Sequence, residues 1–213
     1  SYSCAIVLHG LARSPGSMST MARRLKNSGY QVWNKGYPST EKRIEELALV
    51  IDDAIRFCKT KGAEDLYFVT HSMGGILVRQ YFQTHSTQNV KAIVMLAPPN
   101  HGSEIVDAYR DTWWFSWYHG PAGLQLGTES GSFVRQLSAL DAPIGIIAGT
   151  ESSDPWFGHL FNGPYDGKVS VESAQLAEMR DFITVPRGHT RIMNAPEVLM
   201  QTLFFFEYLQ FNK

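Results

Sequence analysis

A serine set between an apolar strand and a pair of glycines is placed to act as a nucleophile. The segment Phe68-Val69-Thr70-His71-Ser72-Met73-Gly74-Gly75 reads as strand, sharp turn and helix. Such a turn strains its central residue and tolerates only small neighbours. Ser72 then projects from the tip, at the start of a helix whose free N–H groups and partial positive charge favour a developing oxyanion. A serine acting only as a helix N-cap is the plainer reading of the same residue. Nucleophilic chemistry also needs a base and a group to orient it. Seven histidines are available, and Asp154, Asp166 and Asp181 lie in the last third of the chain.

The elements that must position these groups alternate. Cys4 to His9 is a continuous apolar run, as a buried parallel strand requires, and Gly10 breaks it. Residues 17–27 read as a helix and 31–35 as a weak second strand. Residues 41–61 predict one long helix, with Ile44, Leu47, Ala48, Ile51, Ala54, Ile55 and Cys58 at helical spacing. Further strands are expected at 66–70, 91–97, 143–149 and 182–185, with a helix over 73–85. The last helix is expected to open at Asn194-Ala195-Pro196-Glu197, an arrangement like a capping box, and to run to about Phe211. Six strands alternating with helices predict an open α/β sheet, mostly parallel, with helices on both faces. The polar motifs fall after strands one, three, four, five and six, at the edge where such sheets hold their sites.

With strand, turn and Gly-Gly together, the chain resembles the α/β-hydrolase family, in particular its small bacterial lipases and esterases. One position departs from the Gly-x-Ser-x-Gly pattern of that family: Thr70 stands in place of the first glycine. The resemblance implies the chain order Ser, acid, His, with the base after the last strand. His189, in Pro186-Arg187-Gly188-His189-Thr190, meets that condition. His71 flanks the nucleophile and is expected to point away from the site. His101, after strand four, is expected to line the pocket, and His85, His119 and His159 to lie on the surface or in loops. Asp166 opens Asp-Gly-Lys-Val-Ser-Val-Glu-Ser, similar to a motif of class 2 lipases and of GPI inositol-deacylase-type enzymes in which the aspartate orients the imidazole. It is favoured over Asp154, while Asp181 stands at the wrong edge. By the same resemblance, the backbone N–H groups of Met73 and Leu11 would form the oxyanion hole, and Gly10 would let the chain turn over the site.

Some 45 residues separate strands four and five, long enough to carry a lid or binding element. Trp113, Trp114 and Trp117 fall there within five positions. They predict a short aromatic cap within about 103–140 that grips an apolar group, with Trp156, Phe157 and Phe161 as an opposing wall. A satellite core under a long loop is the competing reading. Full-sized members of the family have two further leading strands and often a large cap, so the expectation is a minimal version of that fold in one domain over 1–213.

Composition narrows the classes. The 213 residues are 44% hydrophobic and carry a net charge of -1. That excludes a disordered chain and gives no footprint for nucleic acid. No apolar run approaches the ~20 residues a membrane helix needs. No His, Cys or Asp cluster has metal-ligand spacing, and neither metal nor cofactor is expected. The two cysteines, Cys4 and Cys58, both fall at the amino edge of the sheet, near enough to be joined or left as two thiols. A disulfide would point to a periplasmic or secreted protein, two thiols to the cytoplasm. The chain opens without Met, which leaves a removed leader open. The function expected from all this is cleavage of a small-molecule or lipid ester through Ser72, Asp166 and His189, with transient contact to a lipid interface. An acyltransferase, amidase or thioesterase using the same groups, and a non-catalytic binding module on the same fold, are the alternatives.

Overall fold

The computed structural model describes residues 2–154 and 156–213. Its elements, in chain order, are β1 (Tyr2–Leu8), α1 (Ser19–Asn27), β2 (Gln31–Trp33), α2 (Ile44–Leu47), α3 (Val50–Thr60), β3 (Ala63–His71), α4 (Met73–Tyr81), β4 (Val90–Leu96), α5 (Glu104–Tyr109), α6 (Trp113–Leu124), β5 (Ile144–Gly149), α7 (Val171–Ala174), β6 (Asp181–Val185) and α8 (Pro196–Tyr208). The six strands form one sheet in the order β2-β1-β3-β4-β5-β6, and every pair is parallel.

Burial explains the strand sequences. In β1, Cys4, Ile6 and Leu8 face one helical layer, and Ala5 and Val7 face the other. Both faces are covered, so the run is apolar at every position rather than at alternate ones. On the first face Ile51, Ala54, Ile76 and Leu77 complete the core; on the second, Met21, Leu25, Val198 and Phe205 do so. The edge strands β2 and β6 are only partly buried, which fits their weaker sequence signal.

The order reverses at β1. From it the chain moves out to β2, crosses back to β3 on the other side, and continues to β6. Connections leaving β1 and β3 therefore diverge, and a crevice opens at their carboxyl ends. The segment before β5 carries α5 and α6 back over this crevice. A helix break at Gly120 (φ 68°) seats the end of α6 against Thr40, and Gln125 joins the same region by accepting from the Ile44 N–H at 2.7 Å.

Two local expectations are corrected. The long helix over 41–61 is two pieces, because residues 48–49 make tight turns with i→i+3 bonds, Leu49 to Glu46 and Ile51 to Ala48. Its apolar spacing survives the break, since both pieces bury the same face. Residues 41–43, at its expected start, are not helical, and just before them the Ser39 hydroxyl accepts from the Ala12 N–H at 2.9 Å and so holds the loop after β1. The capping box at 194–197 does not form. Ala195 takes the N-cap position without a side-chain bond, and the Glu197 carboxylate is drawn instead to Arg187, at 2.7 Å from its Nε.

Cys4 and Cys58 are joined, with their Cα atoms 5.7 Å apart. The bond ties α3 to β1 at the end of the sheet opposite the crevice. Among the described residues no helix is long and apolar enough to cross a membrane.

Candidate active site

β3 delivers Ser72 to the carboxyl edge, and α4 begins at the next residue. The chain reverses at Ser72 itself, with φ 53° and ψ -124°. This is a conformation that L-residues avoid at a cost of order 1–3 kcal/mol, held here by the strand before it and the helix after it. Thr70, in the place where glycine was expected, points into the core with no exposed surface, and its hydroxyl finds no partner among the described residues. Its hydroxyl packs against the start of α4, where a Cβ on Gly75 would stand 3.2 Å from Thr70 Oγ1.

The loop after β6 carries His189, and its ring bridges the other two groups. Nδ1 donates to Asp166 Oδ2 at 2.7 Å, and Nε2 accepts from Ser72 Oγ at 3.0 Å. The carboxylate can only accept, so it fixes the tautomer that leaves Nε2 free for the serine proton. Asp166 is held in turn. Its Oδ1 accepts from the N–H groups of Lys168 at 2.9 Å and Val169 at 2.8 Å, and its carbonyl accepts from the His189 N–H at 2.9 Å. All three residues are at least nine-tenths buried. A glycine allows the crossing of these loops: a Cβ on Gly149, the last residue of β5, would stand 2.3 Å from the Arg187 carbonyl oxygen and 2.9 Å from Asp166 Cβ.

The loop after β1 closes the other side. A Cβ on Gly10 would stand 2.9 Å from His71 Nδ1 and 3.1 Å from Ser72 Cβ, so only glycine lets this loop come so near the serine. His9 fixes the loop from behind. Its Nδ1 donates to the Gly10 carbonyl at 2.8 Å, its Nε2 accepts from the Tyr37 N–H at 3.3 Å, and its ring stacks on Tyr37. The N–H groups of Leu11 and Met73, on the two sides of Ser72, donate to no other group among the described residues.

Ser72 opens into a cleft of about 450 Å³, a size ordinary for small-molecule sites. Its walls are mostly apolar: Leu11, Ile105, Val106, Trp114, Phe115, Leu126 and Phe157. Asp154 also lines it but makes no bond to His189; its Oδ1 accepts from the Trp156 N–H at 2.8 Å.

Several expected positions do not reach the cleft. Trp113 and Trp117 lie one helical turn apart on the outer face of α6, each 79% exposed. Trp114, Phe115, Tyr118 and His119 take the inner face. Helix phase divides the aromatic run, and of its three tryptophans Trp114 alone lines the cleft. Trp156 is also turned out to solvent, while its neighbour Phe157 lines the cleft; Phe161 is buried against Tyr165 instead. His101 faces a separate groove, held by its Nδ1 bond to the Ser173 carbonyl at 3.1 Å.

Two histidines come closer than expected. His119 stacks on Phe115 in the cleft wall. His71 does not point away from the site: its Nε2 donates to the His189 carbonyl at 2.8 Å, and the two rings lie 4.9 Å apart. Burial first, and the neighbouring His189 second, push its pKa well below the usual value, so the ring is neutral. Arg13 and Lys168, which carried no signal in the sequence, also line the cleft.

The architecture is that of a doubly wound parallel sheet whose switch point presents a serine, an imidazole and a carboxylate in hydrogen-bonded sequence. The chain belongs to the alpha/beta hydrolase fold family, whose model matches residues 6–165. That match contains Ser72 and stops one residue short of Asp166. Solved structures of lipolytic proteins share the fold. The mature lipase BlEst2 of Bacillus licheniformis superposes with a TM-score of 0.75 at 18% identity, covering 97% of this chain and 91% of that one. Phospholipase PlaB of Legionella pneumophila gives 0.71 at 16%, covering 98% and 59%. Lipase B of Aspergillus fumigatus gives 0.72 at 14%, covering 97% and 53%. The chain thus spans little more than half of the last two. No curated protein matches the sequence.

Proposed function

We propose that the protein is a serine hydrolase of carboxylic esters with an apolar acyl or alcohol group. The observation that carries this reading is the unbroken path Ser72 Oγ, His189 Nε2, His189 Nδ1, Asp166 Oδ2, with both hydrogen bonds at 3.0 Å or less. In the first half-reaction Ser72 Oγ attacks the ester carbonyl carbon as its proton passes to His189 Nε2. The tetrahedral oxyanion is stabilised by the Leu11 and Met73 N–H groups, which have no competing partner. His189 then protonates the leaving alcohol as the carbon–oxygen bond breaks, leaving an acyl group on Ser72. Water, deprotonated by the same imidazole, attacks the acyl carbon, and the acid departs as Ser72 regains its proton. Asp166 keeps the ring in the productive tautomer and stabilises the imidazolium formed in each step.

The segment 103–140 acts as a small cap in this reading. Trp114, Phe115 and Tyr118 cover the hydrocarbon of the substrate, and the lipases and phospholipase among the structural neighbours support an ester or lipid substrate. Labelling with a fluorophosphonate, followed by peptide mass spectrometry, and turnover of p-nitrophenyl esters of increasing chain length test the proposal. Modification at Ser72 with ester turnover is expected. A protein neither labelled there nor active on any ester of the series would overturn it.

A further inference from the structure

The cleft holds two cations that the hydrolytic reaction does not use. Arg13 lies on the loop after β1, two residues beyond Leu11. Lys168 lies two residues beyond Asp166. Neither forms an ion pair among the described residues, although eight such pairs occur elsewhere or within the Ser72 site. Both are held by their surroundings. Arg13 Nη1 donates to the Thr190 carbonyl at 3.0 Å, beside His189, and leaves the rest of the guanidinium fork free. The Lys168 backbone is fixed on both sides: its N–H donates to Asp166, and its carbonyl accepts from the Ser103 hydroxyl at 2.6 Å.

Their placement has an energetic cost. Lys168 is open to solvent at the mouth but has protein on most sides. Its pKa is lowered by that partial desolvation first and by the Arg13 charge second, while Asp166 pulls the other way. Two like charges in one cleft repel, and an anion between them relieves the repulsion. The lining includes one carboxylate, that of Asp154, which is turned to the Trp156 N–H. Asp166 is itself engaged by three donors. The rest of the wall is mostly hydrocarbon and aromatic, with the hydroxyls of Ser72, Ser103, Tyr118 and Thr190 and the imidazoles of His71, His119 and His189 among it.

We infer that Arg13 and Lys168 form a subsite for an anionic oxyacid group, phosphoryl or carboxyl, carried by the ester substrate a few bonds from the scissile carbonyl. This rests on the cleft being the substrate site, as in the proposed function. The substrate class is then an amphiphilic ester: hydrocarbon against Val106, Trp114 and Phe115, and the anion between two cations that flank His189. A charge-assisted pair of this kind discriminates against an uncharged analogue by about tenfold or more.

Isothermal titration of the Ser72→Ala protein with octyl phosphate, octanoate and octanol tests this without any turnover. At least one anion is expected to bind about tenfold or more tightly than octanol. Octyl phosphate in the lead assigns a phosphoryl group, and octanoate in the lead a carboxylate. In Arg13→Met and in Lys168→Met, each on the Ser72→Ala background, the preference is expected to fall to within about threefold. Lys168→Arg is expected to restore it, which separates charge from damage to the fold. Equal binding of all three probes would overturn the subsite, as would an anion preference that survives both methionine substitutions. Fluorophosphonate labelling of the wild-type protein is read separately, so a protein that binds the anions but is not labelled loses the hydrolase reading and keeps the subsite.

Discussion

The ring that precedes Ser72 holds the backbone of His189: His71 Nε2 donates to the carbonyl of His189 at 2.8 Å. The two histidines are 118 residues apart in sequence. Their contact joins the turn after β3 to the loop after β6, so the distance from Ser72 Oγ to His189 Nε2 is set by a rigid link rather than by loop preference. The free Nδ1 of His71 has no partner among the described residues. The ring is therefore a single donor in a crowded place, which neither a cation nor an acceptor would fit.

Replacing His71 by Phe keeps the volume and removes the donor. A buried carbonyl left without its partner costs about 1–3 kcal/mol. Denaturant unfolding is expected to show a loss of that order. The ester kcat is expected to drop while KM stays near its wild-type value, because His189 loses its register and the cleft walls do not.

Stability is expected to fall on the acid side of pH 6.5. Burial lowers the pKa values of His9, His71 and His119 in the folded protein. Below about 6.5 the unfolded chain takes up protons that these folded sites refuse, so unfolding is favoured as pH drops and the effect vanishes above that value. For the fully buried His71 the slope approaches ~1.4 kcal/mol per pH unit. Urea melts between pH 5 and 7.5 measure it, and His71→Phe is expected to flatten the acid limb. An unchanged slope in that variant would show that the ring is not the group responsible.

Asp166→Asn is expected to lower kcat by roughly 10³–10⁴, since an amide can present the wrong partner to Nδ1 and release the tautomer. Asp154→Asn, at a carboxylate bonded only to the Trp156 N–H among the described residues, is expected to stay within about threefold on neutral esters. The pair of variants, assayed side by side with circular dichroism as the folding control, decides which aspartate serves His189.

Gly10→Ala places a methyl group against His71 and Ser72. Displacing the loop that carries the Leu11 N–H is expected to cost about 10²-fold in kcat, the scale of losing one oxyanion donor. Fluorophosphonate labelling should slow in parallel. Wild-type rates in the alanine variant would mean that the loop after β1 gives no donor to the reaction.

Reduction of Cys4–Cys58 frees a loop of about 54 residues. Chain entropy alone gives about 4 kcal/mol for its closure. For a domain of this size that corresponds to a Tm lower by roughly 10 °C. Calorimetry with and without reductant reads it directly. The bond lies at the end of the sheet away from Ser72, so the ester KM at 20 °C is expected to be unchanged.

Legibility in the sequence followed the range of the interactions. The turn at Ser72 is local, and strand, small residues and helix all lie within eight positions. The apolar runs marked the buried strands because both sheet faces are covered. The order of acid and base came through the family resemblance, and the 2.7 Å contact of His189 with Asp166 rather than Asp154 depends on how two loops cross at Gly149. The tryptophan run misled because which face of α6 turns inward is settled by packing against residues far off in sequence, with Trp114, Phe115 and Tyr118 inside and Trp113 and Trp117 outside. His71 was misjudged for a related reason: the strained backbone at Ser72 ends the strand alternation that would have turned its neighbour away. Arg13 and Lys168 gave no signal, since a lone cation in a loop resembles any surface residue until the fold brings two together.

Of the five tryptophans, Trp33 alone is buried, and the other four stand 40–79% exposed on α6 and just after Asp154. Ultraviolet emission from the folded protein is therefore dominated by indoles at the surface, of which Trp114 alone lines the cleft. The molecule carries its own optical gauge of the cleft wall: filling the cleft should shift and quench the Trp114 share of the emission.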